Sequence, residues 1–154
     1  MKVKDKICDK KNTAQYDHSE LKEKNNHIIP RIIISPEVYA EIREITLSAG
    51  EYEIGGLLLG EKVFDGQEYQ LKIRKATGPG VDAEVSTHHF KPDTKHYQKE
   101  MRDQLYLNGL IYIGEWHRHP GAFNKPSGTD LNTMISITNE KQTKDIISII
   151  TTLV

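Results

Sequence analysis

Leu110-Ile111-Tyr112-Ile113-Gly114-Glu115-Trp116-His117-Arg118-His119-Pro120 is the stretch on which the reading of this chain turns. It is apolar, rich in the residue types that suit a pleated, half-buried strand, and it delivers two histidines at its end. Side chains alternate with period two along a strand, so His117 and His119 project from one face and Arg118 from the other. The same alternation puts Glu115 on the histidine face and turns Tyr112 and Trp116 away, into the core. Seven residues separate His119 from Ser127-Gly128-Thr129-Asp130, and a loop that turns back returns Asp130 to the histidine face. Two imidazole nitrogens and one carboxylate oxygen make a three-ligand zinc site with an open fourth position, the form of a catalytic rather than a structural zinc. Ser127 and Asp130 also spell a capping box at a helix start, worth about 1 kcal/mol without any metal. The two readings are compatible, because a capped helix can hold Asp130 in place.

Outward from this strand, helices and strands alternate, which makes the chain mixed α/β and a single domain. Upstream, Asp93 caps a helix that ends near Asn108-Gly109. Arg31 to Ile34 is a β-branched run, and Ser35-Pro36-Glu37 then combines an N-cap, a first-turn proline and an acidic residue suited to the helix dipole. That helix runs to about Ser48 and stops at Gly50. Ile54 to Phe64, the turn Asp65-Gly66 and Glu68 to Arg74 form a hairpin. Ala76 to Asp82 carries Gly78-Pro79-Gly80 and reads as a loop, either one that shapes a substrate groove or, as is usual for this composition, only a turn, followed by a short strand around Val85 to Phe90. His88 and His89 fall at that strand's end as ordinary polar surface residues. Downstream of the histidines come a helix from Thr129 to Lys141 and a β-branched run from Ile146 to Val154. Residues 1–26 are polar, without periodicity, and read as a flexible tail ahead of a domain spanning 27–154. The stop inside an apolar strand at Val154 reads either as an unusually short domain or as one cut short.

Composition excludes several classes. The 154 residues carry 21 basic and 22 acidic side chains, for a formal net charge of −1, so no charge excess points to nucleic acid. Cys8 is the single cysteine, which removes internal disulfides and thiolate metal sites from consideration. No segment approaches the roughly 20 apolar residues of a membrane span, and the N-terminus has no apolar signal core. The expected location is the cytoplasm, with no membrane partner.

A zinc hydrolase needs a carboxylate that takes a proton from water and returns it to the leaving group. Glu115 is the nearest in sequence and on the histidine face; Glu53 is another candidate, and spacing alone does not choose between them. The segment Glu53-Ile54-Gly55-Gly56-Leu57-Leu58-Leu59-Gly60, followed by H-x-H-P and S-x-x-D in this order, resembles the JAMM (MPN-plus) metalloprotease signature across about residues 28 to 154. The resemblance implies a curved β-sheet flanked by helices. It implies one zinc ion per chain held by His117, His119 and Asp130, with Glu53 as general base and Ser127 as hydrogen-bond donor to the oxyanion. It also implies cleavage of a peptide or isopeptide bond at the C-terminus of ubiquitin or a ubiquitin-like protein. Gly114-Glu115-Trp116-His117 is more similar to the prokaryotic JAB branch than to the proteasome or signalosome subunits. Members of that branch accompany activating-like and conjugating-like enzymes, some in antiphage systems that use cyclic-nucleotide signals. Arg118 stands where Ser or Thr is common in the family between the histidines; it either packs away from the metal or lines the substrate approach. Two rival readings are a small-peptide hydrolase of sulfur-carrier metabolism and a non-catalytic MPN-type or RadC-like binding module. The retention of all three ligands favours the enzyme. The Gly55-Gly56 pair carries a structural reading as well, as a place where strands pack closely.

Overall fold

A computed structural model describes residues 29–64, 66–141 and 145–153. The tail read over residues 1–26, Cys8, the turn residue Asp65 and the terminal Val154 lie outside the described residues. Among the described residues, seven strands and three helices follow in the order β1 (Arg31–Ile34), α1 (Pro36–Ser48), β2 (Ile54–Phe64), β3 (Tyr69–Ala76), β4 (Glu84–Val85), β5 (Phe90–Lys91), α2 (Thr94–Asn108), β6 (Ile111–Arg118), α3 (Gly128–Lys141) and β7 (Ile147–Thr151). A curved five-stranded sheet of order β1-β3-β2-β6-β7 forms the body, and β4-β5 is a separate two-stranded ribbon. β2 runs antiparallel to both β3 and β6, whereas β1 and β7 add in parallel at the two edges. This is the mixed α/β class with a helix-flanked sheet that the sequence implies.

Local chemistry sets the helix ends. The Ser35 hydroxyl accepts from the Val38 amide at 3.3 Å with Pro36 in the first turn, and Asp93 Oδ1 accepts from the His96 amide at 3.0 Å. Gly109 closes α2 in the left-handed region at φ 67°, where a side chain would be disfavoured.

The central strand explains the run Leu57-Leu58-Leu59. β2 is covered on both faces, so a continuous apolar stretch replaces alternation. Leu58 joins Val38 and Ile42 of α1 with Leu71, Ile73, Ile113, Trp116 and Ile147 in one core cluster. Leu57 and Leu59 join Tyr97 of α2 and Leu110 in the other, with Met101 and Tyr112 packed against it.

Three expectations are corrected here. Tyr112 does not share a face with Trp116: Leu58 pairs with Gly114 but Leu59 with Tyr112, so Ile113 is an extra residue that flips the alternation. Tyr112 thus lies on the α2 side with Glu115, and its hydroxyl donates to Glu115 Oε1 at 3.2 Å. The strand read over Val85 to Phe90 is the tight ribbon of β4 and β5. The loop expected to begin at Ala76 starts one residue later: β3 continues to Ala76, Thr77 after it packs inward, and Val81 and Asp82 are exposed. The Thr77 carbonyl accepts the Trp116 indole N–H at 2.9 Å, and the Thr77 hydroxyl accepts the Leu57 amide at 3.0 Å.

The Gly55-Gly56 pair is needed for this packing. A Cβ on Gly56 would stand 1.7 Å from the Thr77 carbonyl oxygen, and one on Gly55 2.5 Å from that of Trp116. Both obstacles are backbone, so nothing short of strand separation relieves them. Gly56→Ala is therefore expected to destabilise the fold by about 3 kcal/mol or to prevent folding. Gly78→Ala, whose Cβ would meet only Ile45 Cδ1 at 3.9 Å, should stay within roughly 0.5 kcal/mol. Urea unfolding of the two variants checks the contrast.

Candidate metal centre

β6 carries both histidines to the edge of a cleft of about 630 Å³. His117 pairs with Gly55 of β2, and residues directly opposite on neighbouring strands share a face. Glu53, two positions before Gly55 and just outside β2, lines the cleft together with Glu115, His117, His119, Ser127 and Asp130. His119 follows the end of β6, and its amide donates to the Thr151 carbonyl of β7 at 3.0 Å, which extends the ligand-bearing strand by one residue.

The donor atoms converge. His117 Nε2 and His119 Nε2 are 2.8 Å apart, Asp130 Oδ1 lies 3.4 Å from the first and Asp130 Oδ2 3.2 Å from the second. Metal–ligand bonds of about 2.0–2.1 Å in tetrahedral geometry put donor atoms roughly 3.3 Å apart. Each Asp130 oxygen stands near that separation from one histidine nitrogen, and the two Nε2 atoms stand closer. With one donor atom per residue all three lie within 4.8 Å of one another, the grouping a single divalent ion needs. The tautomer is set as well. His119 Nδ1 donates to the Phe123 carbonyl at 3.0 Å, which leaves Nε2 as the lone-pair nitrogen facing the other donors. The Phe123 ring stacks on the His119 ring at 5.5 Å between centroids and an interplanar angle of 20°. His119 is only 6 % exposed.

Asp130 is held by the capping box anticipated from S-x-x-D. The Ser127 amide donates to Asp130 Oδ2 at 2.6 Å, and the Asp130 amide donates to Ser127 Oγ at 3.2 Å. Burial raises the Asp130 pKa, but the bonds from Ser127 and the two histidines outweigh it and hold the carboxyl below its ordinary range. Burial lowers the His117 pKa despite the opposing pull of Asp130, which favours the neutral imidazole a metal requires. Burial likewise raises the Glu115 pKa, against the Tyr112 hydroxyl and Lys141.

All five residues proposed from sequence, and the alternative Glu115, line one cleft. Arg118 does not: it is 2 % exposed, turned to the opposite face, with Nη1 donating to the Tyr52 carbonyl at 2.7 Å. The substrate-approach alternative for Arg118 is thereby removed. His88 and His89 are exposed, as read, yet they stand in the cleft wall with Phe90, because the β4–β5 ribbon folds over the start of β2. Sequence reading missed Phe123 and Tyr97 in the cleft. Phe123 acts through its carbonyl, a group every residue has, so no side-chain pattern announces it.

Three comparisons bear on the site. Residues 35–152 match the profile of the family described as prokaryotic homologs of the JAB domain. Two curated relatives are each named CD-NTase/cGAS isopeptidase. One, from Enterobacter hormaechei subsp. hoffmannii (strain UCI 50), is 32% identical over 106 residues, covering 69% of this chain and 57% of the relative. The other, from Escherichia coli (strain TW11681), is 34% identical over 85 residues, covering 54% of this chain and 52% of the relative. The matches thus span little more than half the length of those relatives. The solution structure of a Desulfitobacterium hafniense protein superposes with a TM-score of 0.54 at 23% identity, covering 66% of this chain and 65% of that one. It shares the fold.

Replacing either His117 or Asp130 by Ala should abolish metal binding, because two protein ligands hold a divalent ion far more weakly than three. Elemental analysis of the purified proteins reads this directly, with Glu115→Ala expected to retain the metal.

Proposed function

This chain belongs to the prokaryotic JAB family, and from that premise we propose that it is a zinc-dependent isopeptidase acting at the C-terminus of a ubiquitin-like protein. The observation that carries the proposal is the convergence of His117, His119 and Asp130 donor atoms in a cleft that Glu53 and Ser127 also line. The relatives' name, CD-NTase/cGAS isopeptidase, supports a CD-NTase-type protein as the conjugated partner, and an antiphage setting is part of the proposal on the family resemblance. A conjugate substrate requires activating-like and conjugating-like enzymes to build it.

His117, His119 and Asp130 would hold the zinc ion. When bound there, zinc lowers the pKa of water to about 7 and polarises a carbonyl oxygen. Glu53 takes the proton of the attacking water, then hands it to the departing lysine amine. The Ser127 hydroxyl donates to the oxygen on which charge develops, an interaction that strengthens toward the transition state. Glu115 is committed elsewhere: its carboxyl accepts from Tyr112 and faces Lys141. Its place in the cleft wall makes it a packing and electrostatic neighbour of His117.

The test is hydrolysis of a probe joining a glycine-terminated ubiquitin-like protein to a lysine amine. Glu53→Ala should keep its zinc and lose turnover by about 10³-fold or more, the scale of a lost general base together with its positioning. Glu115→Ala should stay within about tenfold of the wild type. The reverse ranking would assign the proton transfer to Glu115. A zinc-loaded wild type that binds the conjugate without cleaving it would favour the binding module.

A further inference from the structure

The peptide group that joins Tyr52 to Glu53 is held at both ends. Its carbonyl accepts from Arg118 Nη1 at 2.7 Å, and its amide donates to the Ser86 carbonyl at 2.8 Å. A peptide group is planar, so fixing both ends fixes the plane and the position from which the Glu53 side chain departs. Glu53 lies just outside β2, where ladder bonds no longer set the backbone. The two contacts replace that ladder from opposite sides, one from the α1 face and one from the β4–β5 ribbon.

Arg118 is an expensive way to make such a contact. It is 2 % exposed, and its Nε is buried with no hydrogen-bond partner among the described residues. Burying a guanidinium with an unsatisfied donor opposes folding, so stability alone is a poor reason for it. Its place in the chain supplies a better one. Arg118 stands between His117 and His119 and pairs directly with Ile54, the residue after Glu53. The strand position that separates the two metal ligands therefore also reaches the backbone of the carboxylate that must face them.

We propose that Arg118 is a positioning residue whose guanidinium clamps the Tyr52–Glu53 peptide and thereby fixes the Glu53 carboxylate relative to His117 and His119. The inference rests on Glu53 being the general base, and the clamp itself can be tested separately. Arg118 touches neither substrate nor metal; it acts through Glu53. A carboxylate displaced by about 1 Å loses rate on the order of 10²-fold while substrate binding is untouched.

The experiment compares the zinc-loaded full chain with R118K and R118M. The first readout is hydrogen exchange at the Glu53 amide by NMR, which needs no substrate. The second is kcat and KM on a glycine–lysine isopeptide probe, with zinc content measured alongside. In R118M the Glu53 amide should exchange at least about tenfold faster and kcat should fall roughly 10- to 100-fold, with KM within about threefold and zinc unchanged. R118K, whose ammonium can still donate to the Tyr52 carbonyl, should recover part of both losses; if R118M fails to fold, the same readouts on R118K decide. Unchanged Glu53 exchange overturns the clamp, and faster exchange with an unchanged kcat overturns its positioning role. Loss of zinc in step with kcat assigns Arg118 to the ligand geometry instead. A wild type that cleaves no isopeptide overturns the proposed function while the exchange readout still judges the clamp.

Discussion

Everything in the site depends on how closely β2 and β6 approach. The pairing of Gly55 with His117 and of Ile54 with Arg118 puts the start of one strand beside the end of the other. Only glycine at positions 55 and 56 leaves room for the Trp116 carbonyl and the Thr77 backbone on either side. With that approach made, Glu53 and the histidines line one cleft without any long-range side-chain contact between them. Trp116 secures the arrangement from the core, its indole N–H paired with the Thr77 carbonyl and its ring packed in the α1 cluster. Hydrogen-bonded burial of this kind gives a rigid platform, which is what a site of preset geometry requires.

The third candidate ligand, Asp130, is attached differently. α3 has no buried residue, and Leu131 and Ile135 on it are about half exposed. Apolar burial therefore contributes little to its docking. Polar contacts at its two ends do more: the Ser127–Asp130 box and the Asp130 carboxylate facing both histidines at one end, and Lys141 over the Tyr112 ring at 4.9 Å at the other. The site thus joins a rigid pair of histidines to an acid carried on a helix held mainly by the site itself. A metal ion held across such a join would contribute to the order of the helix as well as to chemistry.

Much of this was legible in the residues. Helix starts at Ser35 and Asp93, the left-handed stop at Gly109, the β2–β3 hairpin and the alternation that separates Arg118 from its flanking histidines are local matters, set by backbone hydrogen bonds and side-chain direction. The capping box at Ser127 and the placing of Asp130 beside the histidines needed no choice between them, since the carboxylate that accepts the Ser127 amide at Oδ2 also faces His117 through Oδ1 and His119 through Oδ2. The face of Tyr112 was misjudged because the bulge at Ile113 is a property of the β2–β6 pairing, invisible along one strand. The ribbon of β4 and β5 was likewise blurred into one strand, because two-residue arms carry no periodicity.

By itself the sequence determined which chemical groups are present and at what spacing: two histidines on one strand face, an acid at a capped helix start, and glycines where strands meet. Those follow from interactions within a few residues, and they were enough to specify a three-donor set. Tertiary structure alone decided what lies across the sheet from what. It brought the two histidine nitrogens and the Asp130 carboxylate together with contacts of 2.8 to 3.4 Å, gave His119 its tautomer through the Phe123 carbonyl, and buried Arg118 against the peptide that carries Glu53. Each of these depends on strand register and loop return, which are fixed by packing between segments far apart in the chain.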